Sequence, residues 1–135
     1  MSSRMRTGLA GVAGAFCAFV VVAVVEAIGH AVYAPPAMPD MADPEAVAAF
    51  VRGLPLGAFL FVLAAYVTAT VVGGVVAALI ARRHAMRLAA VVGGLILLAS
   101  ALNFVAIPHP AWFVVATLVG VPLAAWLTGR AGQRV

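Results

Sequence analysis

The chain has 135 residues, with eight basic residues (all Arg), four acidic ones and a formal net charge of +4. Apolar residues make up 66 %, charged ones 9 %, and the mean hydropathy is +1.19. A soluble domain carries charge on about a quarter of its residues, so these figures exclude one, and they exclude a disordered chain or a coiled coil as well. The Arg residues are scattered over termini and loops and form no single basic face, which argues against nucleic acid as a partner. A small polytopic membrane protein remains, with the lipid bilayer as its first partner.

A membrane-crossing helix needs about 20 mostly apolar residues. The first such stretch is 9–33, with Glu26 and His30 near its end. Arg4 and Arg6 before it resemble the start of a signal peptide, but the apolar run ahead of Glu26 is too long for one, so the segment reads as a retained span. Cys17 in its middle reads as a small packing residue. The following loop opens with Pro35, Pro36 and Pro39, which fix φ and remove donors, so it cannot stay helical. Asp43-Pro44-Glu45 then supplies a preferred N-cap, a first-turn proline and a dipole-matched carboxylate. Val47, Phe50, Val51 and Leu54 follow as one apolar stripe. This predicts a short amphipathic helix over 44–52 in the first outer loop, read as a packing lid in preference to a substrate gate.

The second span is 56–81, and it carries Tyr66 and Thr70 at depth. The turn Arg82-Arg83-His84-Ala85-Met86-Arg87 joins it to the third span, 88–107, so these two are antiparallel neighbours. Each Arg of this turn could contribute about 1 kcal/mol against anionic lipid, but the simpler reading is a topology determinant. Asn103 lies near the end of the third span. Pro108-His109-Pro110 makes a stiff hairpin that holds an imidazole in place. The fourth span is 111–127, where Gly120-Val121-Pro122 should loosen the helix and free the Leu118 carbonyl, with Thr117 placed to help satisfy nearby backbone.

Four spans use almost the whole chain, so the expected fold is all-α, a single integral membrane four-helix bundle. Seven of the eight Arg fall on one side of it. The positive-inside rule then makes both termini cytoplasmic in a bacterial inner membrane. Lipid is as apolar as Leu, so helix association relies on small residues and polar contacts. Gly73, Gly74 and Ala77 on the second span, and Gly93 and Gly94 on the third, are the candidates for close packing. Their first use is within the bundle; a homo-oligomer contact is the alternative.

Glu26 is the most informative residue. A carboxylate at that depth costs several kcal/mol unless it is paired, wetted or protonated, so it marks a functional site by default. His30, four residues on, shares its helix face. Asn103 reaches a matching depth on the third span, and His109 stands level with His30. Glu26, His30, Asn103 and His109 are thus the candidate binding site, with Tyr66 and Thr70 as a polar track leading inward. Glu26, His30 and His109 are also the candidates for a metal ion, suited by type to zinc, copper or iron. Their spacing is neither Glu-x-x-His nor His-Glu-x-x-His, so the metal signal is weak. A purely structural hydrogen-bonded knot competes with both readings.

The runs Glu26-x-x-Gly29-His30-x-x-Tyr33-x-Pro35-Pro36 and Asn103-x-x-x-Ile107-Pro108-His109-Pro110-x-Trp112-Phe113 resemble a family of small uncharacterised bacterial four-span membrane proteins over the whole chain. The resemblance implies a bacterial inner membrane and brings no catalytic or binding role. No nucleotide loop or nucleophile elbow is present. The leading expectation is a polar outward-facing site for ion or small-solute movement by an oligomer. The alternatives are an accessory or structural subunit of a larger membrane complex and, third, a membrane metalloprotein or enzyme. No cofactor is expected, and enzymatic activity is the less favoured case.

Overall fold

The computed structural model describes residues 2–34 and 36–134; Met1, Pro35 of the proline corner and Val135 lie outside the described residues. The elements are α1 (Ser3–Val32), α2 (Pro44–Gly53), α3 (Leu56–Ala81), α4 (Ala85–Ala106) and α5 (Ala111–Gly132). All but α2 are long and apolar enough to cross a membrane. Three of them outrun the expected spans. α1 begins at Ser3, where the Ser2 hydroxyl accepts the Met5 N–H and caps it. α4 already begins at Ala85, and α5 continues to Gly132. The physical reason is that an apolar run measures the hydrocarbon layer, whereas backbone hydrogen bonds carry a helix on into the headgroup region.

α3 is central and packs against α1, α4 and α5. α4 and α5 also pack together, so α3, α4 and α5 form a three-helix unit. α1 lies along α3 and the edge of α4, and among the described residues it makes no close backbone approach to α5. It is accordingly the least covered of the four long helices.

Small residues explain how α1 and α3 come so close. Ala10, Gly14 and Ala18 recur at four-residue steps and are buried on α1. A Cβ on Gly14 would lie 2.5 Å from the Gly73 carbonyl oxygen, and one on Gly73 would lie 2.5 Å from the Gly14 carbonyl oxygen. The two backbones therefore touch, with Ala77 and Ala18 filling either side. Gly74 meets Thr128 and Ala89, and Gly93 meets Ala125 and Thr70. Gly94 departs from the expected packing set. It is one residue, or about 100°, further round α4, and it faces outward with nothing near the position of a Cβ.

α2 is N-capped by Asp43, whose Oδ1 accepts the N–H groups of Glu45 and Ala46 at 3.0 and 3.3 Å. Its buried Val47 and Val51 lie one turn apart. Val51 joins the same apolar cluster as Phe59 and Phe113, with Phe50 and Leu54 alongside, so α2 covers the end of the bundle where α3 and α5 begin. At the opposite end, Arg4 of α1 shares a cleft with Arg83 and Arg87. Gln133 shares a second cleft with the same turn. The two chain termini and the α3–α4 turn thus occupy one end of the molecule, and α2 with the α4–α5 turn the other.

Candidate functional site

Local helix geometry places Glu26. Gly29 is buried against the ring of Phe61 on α3, so the Gly29 face of α1 is its α3-facing side. Glu26 lies three residues earlier, about 60° round the helix, on the flank of that face. It is half-buried, with His30 in electrostatic reach. His30 turns further, about 100° from Gly29, and is exposed.

Across from Glu26, Tyr66 of α3 is buried in the apolar cluster. Its hydroxyl approaches the side chains of Asn103 and Ser100 on α4 and lies in the field of Glu26. Three helices therefore bring polar atoms together: a carboxylate from α1, a phenol from α3, and an amide and a hydroxyl from α4. Ser100 was not legible as a site residue, although Val92, Ile96 and Ser100 form a buried four-residue row that leads to Asn103. The Ser100 hydroxyl is anchored, donating to the Ile96 carbonyl at 2.8 Å.

Thr70, one turn further in on α3, turns its hydroxyl back on its own helix. That hydroxyl donates to the Tyr66 carbonyl at 2.8 Å. A buried Thr in a helix satisfies itself on the preceding turn when its surroundings are apolar. Thr117 does the same with the Phe113 carbonyl at 2.9 Å, one turn earlier on α5.

His109 is held by its own hairpin. Its Nδ1 lies 2.7 Å from the Ile107 carbonyl oxygen. A carbonyl only accepts, so the ring donates from Nδ1. The ring is stacked on Phe113, with centroids 5.4 Å apart and planes 18° apart, and meets Phe104 edge-on at 5.1 Å. The Pro108–Pro110 hairpin thus holds the imidazole in an aromatic cage. Glu26, His30 and His109 do not converge, and among the described residues no three of His, Cys, Asp and Glu are placed to hold a metal ion.

Phe113 is the hub of that cage, fully buried and in contact with the rings of Phe59, Tyr66, Phe104, His109 and Trp112. Through Tyr66 it joins the cage to the polar group. Tyr33 closes the α1 side, its ring edge-on to Phe61 and its hydroxyl against Gly57, where no Cβ would fit.

The geometry describes an all-helical bundle with four long apolar helices, the form of a multi-pass membrane protein, and a three-helix polar cluster near the α2-covered end. A scan against models of known families, a search of curated proteins and a search of solved structures each returned no match.

Proposed function

We propose that the chain is a small inner-membrane protein, with both termini cytoplasmic, whose Glu26 cluster takes up protons or small cations from the outer side as part of an oligomer. One observation carries this reading: Tyr66, buried on α3, has Asn103 and Ser100 of α4 beside its hydroxyl and the charge of Glu26 of α1 within reach. A carboxylate, a phenol and an amide gathered from three helices can hold and pass a proton, or offer oxygen atoms to a cation. The bacterial setting follows from the family resemblance, and the orientation from the gathering of Arg at one end. An oligomer is needed because the small-residue seams are filled within one bundle, which leaves little interior for a path through a single chain.

The test is flux into liposomes that contain the purified chain and a pH-sensitive dye, with a sodium or potassium gradient in parallel. Wild type should move protons or a cation above empty vesicles, and Glu26→Gln should reduce that rate by about ten-fold or more, the usual scale for loss of a positioned proton-transfer group. Wild-type vesicles as tight as empty ones to all three ions would overturn the proposal.

A second reading, an accessory subunit of a larger membrane complex, is favoured by α1. This helix lacks a neighbour on the side away from α3, and Phe16, Phe19, Val24 and Ile28 are exposed on it. A discrete assembly far larger than any homo-oligomer, migrating intact after mild detergent extraction, would support that reading. Migration as monomer or homo-oligomer alone would remove it.

A further inference from the structure

The Arg-bearing end is concave. Two clefts flank the α3–α4 turn, of about 1110 and 510 Å³. Arg83, His84 and Arg87 line both, so the turn stands as a basic ridge between them. Arg82 adds its charge to the larger cleft, and Arg4 of α1 adds its own to the smaller. Neither cleft is lined by an acidic side chain. The four acidic residues of the chain are Glu26, near the far end of α1, Asp40 and Asp43 just before α2, and Glu45 in its first turn.

The walls of the clefts differ from their rims. The larger descends along Val75 and Leu79 of α3, and the smaller along Leu88 and Val91 of α4. Val75, Leu79 and Val91 are exposed and, in a spanning bundle, face the acyl chains. Each cleft thus offers guanidinium groups at one level and an apolar wall below it. The turn holds this shape with two residues in the left-handed region, Arg82 at φ 55° and His84 at φ 56°. Glycine is usual at such positions. α4 begins there without a side-chain cap, so the N–H groups of its first turn add to the positive field at the ridge.

Guanidinium forks match phosphate oxygens in shape and charge. A free phosphate ester would use only the rim, whereas a phospholipid uses rim and wall together. We propose that the double cleft is a binding site for the phosphate headgroup of an anionic phospholipid from the leaflet at the Arg-bearing end, seated on Arg83 and Arg87. The site depends on the chain spanning a membrane and is independent of Glu26 and of any ion movement.

The test uses the full-length chain in a non-ionic detergent. Binding of phosphatidylglycerol, phosphatidylcholine and glycerol phosphate is measured by native mass spectrometry and by the shift in melting temperature. Phosphatidylglycerol should bind about ten-fold more tightly than phosphatidylcholine, and glycerol phosphate should not displace it. Arg83→Gln and Arg87→Gln should each weaken phosphatidylglycerol about five-fold, the scale for one basic residue at a lipid surface. Arg52→Gln, which removes the same charge from the α2 end, should change it less than about two-fold. Arg83→Lys should retain part of the binding and, with the circular dichroism of each variant, separates lost contact from lost fold. Equal binding of the two lipids, or an equal loss in Arg52→Gln, would overturn the proposal. Full displacement by glycerol phosphate would overturn the lipid as the ligand and leave a soluble phosphate ester in its place.

Discussion

Glu26 lies on the seam where α1 meets α3, and its company decides its behaviour. Tyr66 contributes an aromatic face to Phe113 and a hydroxyl to Asn103 and Ser100. Tyr66→Phe keeps the ring and removes only the hydroxyl and its approach to Asn103 and Ser100, so it should destabilise the bundle by at most about 1 kcal/mol, the usual net value of a full hydrogen bond. Asn103→Ala should cost a similar amount. The double variant should cost less than the sum, because both remove the same contact. Thermal unfolding in detergent reads all three; strict additivity would mean that the two side chains do not interact. An ionisable group at depth is rare enough to identify Glu26 from the residue sequence, and Asn103 followed from depth matching. The aromatic cage around His109 was not legible, because it joins α3, α4 and α5. The bond Thr70 makes to its own helix was not legible either, since a hydroxyl at depth can always turn back on the preceding turn.

At the scale of elements, small residues decide which helices touch. Gly73→Ala places a methyl against the Gly14 carbonyl, Ala18 and Val92 at once. It should destabilise by about 1–3 kcal/mol, as overpacking does. Gly94→Ala meets open space and should be neutral, or stabilising by up to about 1 kcal/mol through helix propensity. Unfolding of the two variants side by side checks both, and equal effects would contradict the seam. Composition alone could not separate these glycines. Gly93 and Gly94 are adjacent and chemically identical, and only the position of α5 makes one of them internal. The helices themselves were legible from apolar length, and α2 from Asp43, Pro44 and its stripe. Their ends were less so, since Ser2 and the Arg turns extend helix beyond the apolar runs.

For the whole molecule, the gathering of both termini beside the α3–α4 turn predicts a definite labelling pattern. In a Cys17→Ala background, Gln133→Cys should react with a membrane-impermeant maleimide only after the cytoplasmic side is opened. Ala49→Cys on α2 should react in intact cells. The reverse pattern would invert the assigned orientation, and labelling of both from one side would mean an even number of crossings between them. This arrangement was legible in the distribution of Arg, because seven of the eight flank the apolar runs at the termini and between the second and third, positions that counting spans puts at one end. The concavity beside the turn was not, since it arises from how α1 and α5 flank α3 and α4.

The meeting of Gly14 with Gly73 has a consequence for biosynthesis. The two glycines are about 60 residues apart, so α1 leaves the ribosome about 3–12 s before its partner surface exists. During that interval Gly14 has only lipid or the insertion machinery beside it, and Glu26 waits without Tyr66. α3, α4 and α5, which pack on one another in sequence, assemble as they emerge. The first helix to be made is therefore held in reserve until its docking surface arrives.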